Sequence, residues 1–133
     1  MAALQRGRTS EGPHERQAIA SELIRSVLYL EPRGGDYAPL VEFFKTAAVL
    51  ERSLQKGSCL AADIQVPVTR KGPLLVTALW TSTDGYKSWV DDPWRATNHL
   101  ALSELLTAAG GEQVRGDLYE IEHAVSLQRG STI

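Results

Sequence analysis

The sequence predicts an α+β fold of the ferredoxin-like split βαβ type, a four-stranded antiparallel sheet with its helices on one face. Three observations lead there. Apolar periodicity along the 133 residues reads in the order strand, helix, strand, strand, helix pair, strand. The stretch Leu74 to Trp80 is apolar on both faces, which suits a strand inside the sheet with cover on each side. A chain of this length has no further element to supply the second cover, so a twin subunit packed sheet against sheet is the expected completion.

Residues 1–20 carry Gly7, Gly12 and Pro13 among polar side chains and show no apolar period, so they read as a mobile tail. That leaves one domain at 21–126 and a C-terminal tail at 127–133. Leu23 to Leu30 alternates as a strand, with Leu23, Arg25, Val27 and Tyr29 on one face and Ile24, Ser26, Leu28 and Leu30 on the other. Pro32 and the pair Gly34-Gly35 end it, because proline lacks a donor and glycines permit a tight turn. Asp36 then caps a helix in which Tyr37, Leu40, Val41, Phe44, Ala47 and Ala48 recur at helical spacing, with Pro39 in the first turn and Gly57 as the stop.

Cys59 to Val68 alternates next, with Leu60, Ala62, Ile64, Val66 and Val68 on one side and Ala61, Asp63 and Gln65 on the other. Pro67 places its far end at an edge or bulge, and the loop Thr69 to Pro73 folds it against Leu74 to Trp80 as a hairpin. The run Thr81 to Asp84 supplies capping side chains for the first helix of the pair. Asp92 as N-cap and Pro93 as first residue open the second, whose inner stripe is Trp94, Asn98, Ala101, Leu102, Leu105 and Ala109 and whose end is Gly110-Gly111. Leu118 to Val125 is the last strand, with Tyr119, Ile121, His123 and Val125 on one face.

With 43% hydrophobic and 23% charged residues this is an ordinary globular composition. A net charge of -2 gives no reason to expect nucleic acid, which demands clustered lysine and arginine. No apolar run approaches the roughly 20 residues that span a bilayer, so no membrane is expected. The single cysteine, Cys59, allows no intrachain disulfide and no thiolate metal set, which fits the cytoplasm.

An apolar strand ending in Trp80, a Ser/Thr turn, Tyr86, Trp89 three residues later and Asp92-Pro93-Trp94-Arg95 resemble the signature of the antibiotic biosynthesis monooxygenase family, part of the dimeric α/β-barrel superfamily. Gly57-Ser58-Cys59-Leu60 stands where that family starts a strand, and the likeness extends loosely from about Leu23 to about Val125. The resemblance implies a homodimeric barrel that oxygenates a small aromatic or polyketide-like molecule without a bound cofactor. It also implies an alternative, because the Trp89 to His99 spacing is similar to that of the haem-degrading branch, where a helical histidine ligates the iron. That branch carries asparagine on its first strand where this chain has Ser26, and the quinone-forming enzymes carry asparagine one turn before the helix tryptophan, where this chain has Gly85.

No metal set is expected, since His99 and His123 lie far apart and no Cys or His cluster has ligand spacing. No glycine-rich fingerprint follows a strand, which argues against a dinucleotide site. What remains is an aromatic pocket between sheet and helices. Its candidate catalytic residues are His99 as base, Trp89 as wall and Arg95 as oxyanion partner. Tyr86, Asn98, Ser26, Trp94 and His123 are the candidate substrate contacts. A non-oxidative cyclase, or a barrel that only carries a small ligand, is the remaining alternative.

Overall fold

The computed structural model describes residues 23–107 and 114–127. Its elements are β1 (Ile24–Leu30), α1 (Ala38–Thr46), α2 (Val49–Leu54), β2 (Cys59–Gln65), β3 (Leu74–Trp80), α3 (Thr83–Val90), α4 (Pro93–Ser103) and β4 (Arg115–Glu120), with a short 3-10 turn at Arg33–Gly35. The sheet order is β2-β3-β1-β4, antiparallel throughout, as the split βαβ reading requires. The tails at 1–20 and most of 127–133 lie outside the described residues, as do Ala109 and Gly110-Gly111. Among the described residues no helix is long and apolar enough to cross a membrane.

Strand period decides which side chains meet the helices. In β1, Ile24, Ser26, Leu28 and Leu30 pair across from Trp80, Ala78, Val76 and Leu74 of β3, and these two rows form the helix-covered face. Two apolar clusters sit there. One gathers Leu30, Leu40, Phe44, Leu74 and Leu106, the other Ile24, Cys59, Ala78, Trp80 and Trp89. The opposite face carries Arg25, Val27 and Tyr29 beside Leu79, Thr77 and Leu75, and the Thr77 hydroxyl donates to Asp63 at 2.6 Å.

The caps follow their side chains. Ser82 accepts from the Gly85 amide (3.0 Å), Asp92 accepts from the Trp94 amide (2.8 Å), and Pro93 occupies the first turn of α4 where no donor is missed. Asp36 accepts from the Ala38 amide at 3.1 Å, and Gly57 takes φ 85 at the end of the α2 turn.

Four expectations need correction. The helix after Tyr37 is two helices, because Ala48 adopts a left-handed conformation (φ 55, ψ 43) and turns α2 across the sheet; Ala48 is exposed. In β2 the register shifts between Cys59 and Ala61, so Leu60 bulges out and is 53% exposed, and the strand stops at Gln65, leaving Val68 in the open. The α4 helix ends at Ser103, short of the glycine pair, and Leu106 instead bridges to Pro32. The last strand is Arg115–Glu120, earlier than expected, because pairing with β1 sets its limits; beyond it only the Ile121 amide still reaches the Leu23 carbonyl (3.0 Å). His123 and Val125 are therefore exposed coil rather than strand.

Candidate functional site

Between the helix-facing rows of the sheet and the helices lies a cleft with two lobes. The inner lobe, about 60 Å³, runs from Ser26, Ala78 and Trp80 on the sheet to Ser53, Tyr86 and Trp89 on the helices. The outer lobe, about 100 Å³, extends past Phe43 and Trp94 to Asn98 and His99. Leu28, Val49, Val76, Trp89 and Arg95 border both, so the two lobes adjoin along these side chains. Two larger hollows, one at Tyr29, Leu106 and Arg115 and one at Tyr37, Val41 and Arg70, are open grooves away from the tryptophans.

The walls are aromatic and mutually braced. Trp80 meets Tyr86 edge to face at 5.8 Å between ring centres, and Trp89 lies 6.1 Å from Trp94 with the planes inclined by 31°. Arginines flank the indole pair: Arg52 stands 5.0 Å over Trp94, and Arg95 stands 5.5 Å over Trp89. Helix α3 reaches this depth because it carries Gly85 at its tightest contact. A Cβ there would lie 2.3 Å from Ser58 Cβ, so no larger residue fits without movement. The asparagine that the quinone-forming enzymes place one turn before the tryptophan is therefore sterically excluded from this backbone.

The polar inventory is short. Trp80 Nε1–H donates to Ser26 Oγ at 2.9 Å, which leaves the Ser26 proton free for another acceptor. Ser53 lines the inner lobe with its proton already committed, donating to the Leu50 carbonyl at 2.7 Å. Arg95 is half-buried, and desolvation pulls its pKa below the usual value, partly offset by Tyr86 and Asp92 nearby. Among the described residues its guanidinium makes one hydrogen bond, a long one from Nη1 to the Val90 carbonyl at 3.4 Å. Asp92 is not its ion-pair partner. That carboxylate accepts from the Trp94 amide and from Lys56 Nζ (3.1 Å), which hold its pKa low in that order.

The structure thus brings Ser26, Tyr86, Trp89 and Arg95 to the inner lobe and Trp94, Asn98 and His99 to the outer one. Asn98 Nδ2 donates to the Trp94 carbonyl at 3.0 Å, so its amide oxygen is the group left for a ligand. His99 is exposed at the outer lobe's edge. His123 borders neither lobe, a correction to its expected place, because the strand that was to aim it ends at Glu120. Trp80 and Ser53 were missed by the sequence reading. The spacing Val49, Leu50, Ser53 was the available signal for the second, being one helical stripe.

A haem does not fit these residues. The histidine that would hold it is His99, which lies exposed on the outer lobe and apart from the Ser26 and Tyr86 hollow. Among the described residues no group of three or more His, Cys, Asp or Glu is placed to hold a metal ion.

No family model matches the chain, and no curated protein sequence matches it. Solved structures do. SnoaB, a cofactor-independent oxygenase from Streptomyces nogalater, superposes with a TM-score of 0.62 at 14% identity, over 78% of this chain and 97% of that one. A monooxygenase from the gene ActVA-Orf6 of Streptomyces coelicolor, in complex with the ligand nanaomycin D, gives 0.61 at 21% identity over 82% and 95%. A Nitrosomonas europaea protein assigned as an antibiotic biosynthesis monooxygenase gives 0.56 at 13% identity over 80% and 96%. The chain therefore has the fold of the antibiotic biosynthesis monooxygenases, the fold that its Trp80 to Arg95 segment implies.

Proposed function

We propose that the protein is a cofactor-independent monooxygenase acting on a small aromatic or polyketide-like molecule, working as a homodimer in the cytoplasm. One observation carries the reading: a tryptophan-walled cleft in which Ser26, Tyr86 and Arg95 can all donate to a ligand oxygen. Likeness to structures of a cofactor-independent oxygenase and of a monooxygenase in complex with nanaomycin D supports it. The half-buried Val27, Leu75 and Leu79 on the far face of the sheet support pairing with a second copy, and the unpaired, buried Cys59 suits a reducing compartment.

The chemistry needs no added reductant. An anthrone-type substrate loses a proton to His99 at the outer lobe and becomes an enolate whose oxygen is held by Arg95, Tyr86 and Ser26. The enolate gives one electron to dioxygen, and recombination forms the new C–O bond of a hydroperoxide once a proton is added. Loss of water across the O–O bond leaves a carbonyl, so a CH₂ and O₂ become a C=O and H₂O. Trp89, Trp94 and Asn98 set the plane and depth of the ring, and the aromatic walls keep water away from the intermediate.

The test is oxygen uptake with a dihydroxyanthrone under labelled dioxygen, with no metal, flavin or nicotinamide added. Equal amounts of oxygen consumed and anthraquinone formed, with label in the new carbonyl and a rate above that of buffer alone, are expected. A rate no higher than spontaneous oxidation sinks the oxygenase reading and leaves the non-oxidative cyclase or ligand carrier.

A further inference from the structure

Among the described residues Arg95 is the one cation that borders both lobes of the cleft, and its environment is incomplete. A guanidinium carries five N–H donors. Here one of them makes a long contact with a carbonyl, the face rests on Trp89, and the nearest carboxylate that affects it, Asp92, is already committed to Lys56 and the Trp94 amide. Among the described residues the inner lobe is lined by no Asp, Glu, His, Asn or Gln. Of its three hydroxyls, Ser53 is committed to the Leu50 carbonyl, Ser26 accepts from Trp80 and keeps a proton to give, and Tyr86 stands close enough to Arg95 to act on its pKa. A partly desolvated cation beside hydroxyls but no carboxylate of its own is a site short of negative charge, and burial makes that shortfall costly until an anion fills it.

We propose that this cleft selects ligands bearing an anionic oxygen, a carboxylate or an ionised phenol on an aromatic ring, with Arg95 as counter-ion and Tyr86 and Ser26 as supporting donors. The inference rests on the reading of this cleft as the ligand site, and it extends that reading from ring shape to ligand charge. A neutral ring of the same outline fills the same aromatic walls and leaves the guanidinium unpaired. Hydrogen bonds between a partly buried guanidinium and an anionic oxygen are stronger than those to a neutral one, and the preference expected is about tenfold or more.

The experiment is calorimetric titration of the full chain with three probes on one ring system: 2-naphthoate, the neutral 2-naphthamide, and a nitro-substituted naphthol that is ionised at neutral pH. Naphthoate or the naphtholate, or both, should bind about tenfold or more tightly than the amide. Which anion gains identifies the source of the charge. Arg95→Gln should close the gap between the anions and the amide, weakening the anions far more than the amide, and Arg95→Lys should retain part of the gap. Should Arg95→Gln fail to fold, added salt provides the second measurement on the unaltered chain, weakening the anions and sparing the amide. Equal binding of anions and amide, loss of all three probes together in the folded Arg95→Gln variant, salt-insensitive anion binding, or no binding by any probe each overturns the proposal. The outcome is separable from the oxygen assay, because charge selection can hold where no oxygen is consumed, and oxygen can be consumed where charge makes no difference.

Discussion

The Arg95 guanidinium lies 5.5 Å over the indole of Trp89, inside the cleft, although its position in the first turn of α4 would suit a solvated side chain. The contact joins α3 to α4 across the Asp91-Asp92 break and makes Trp89 both core and wall. Trp89 is 7% exposed, so Trp89→Ala should cost about 3–5 kcal/mol in urea denaturation, with Trp89→Phe losing much less. A small loss in Trp89→Ala would mean that the indole is not packed as described.

Gly85 sets how closely α3 approaches the sheet. Gly85→Ala forces a Cβ against Ser58 and should destabilise by about 1–3 kcal/mol. Adding Ser58→Gly removes the opposing atoms and should recover a good part of that loss. A double variant no better than Gly85→Ala would show that some other contact is responsible.

Ser26→Ala leaves the Nε1–H of Trp80, a residue 1% exposed, without its acceptor. The expected cost is about 1–3 kcal/mol. On a Trp80→Phe background the same change should cost far less, since the orphaned donor is gone, and denaturation midpoints of the four proteins decide it.

Asp92 carries both the α4 cap and the ion pair with Lys56. Its folded-state pKa lies below the ordinary 3.8, first because of the Trp94 amide and then because of Lys56. A lowered folded value stabilises above the unfolded pKa and loses that stability as pH falls through the folded one. Asp92→Asn keeps a capping oxygen and removes the charge, so it should melt lower than the parent at neutral pH. The gap should close as pH drops below about 4. A gap unchanged by acid would assign the effect to something other than ionisation.

His99 is exposed, so His99→Ala should change stability by no more than about 0.5 kcal/mol. If it takes the substrate's proton, the same change should lower the oxygenation rate about a hundredfold near neutrality and recover it at high pH, where the anthrone ionises unaided. A pH-independent loss, or none, would remove His99 from the reaction.

Legibility followed the range of the interactions involved. The two faces of β1 and β3, the hairpin loop, the Asp92 cap and Pro93 were readable because each depends on neighbours a few residues away. The break at Ala48 was not, since alanine is the best helix former and only packing of α2 over the sheet holds it left-handed. The limits of β4 were likewise unreadable. Its residues alternate equally well in a later frame, and it is pairing with Ile24 to Tyr29 that chose Arg115–Glu120 and left His123 outside.

What the sequence by itself determined, then, is the element order and the identity of the aromatic and cationic residues around Trp80 to Arg95. Which of them share a hollow was decided by tertiary structure. The Gly85 contact sets the depth of α3, the α3–α4 break swings Arg95 over Trp89, and the sheet register turns Ser26 toward Trp80. The physical reason is that periodicity fixes a side chain's direction relative to its own backbone, whereas a site depends on the distances between backbones, which only packing supplies.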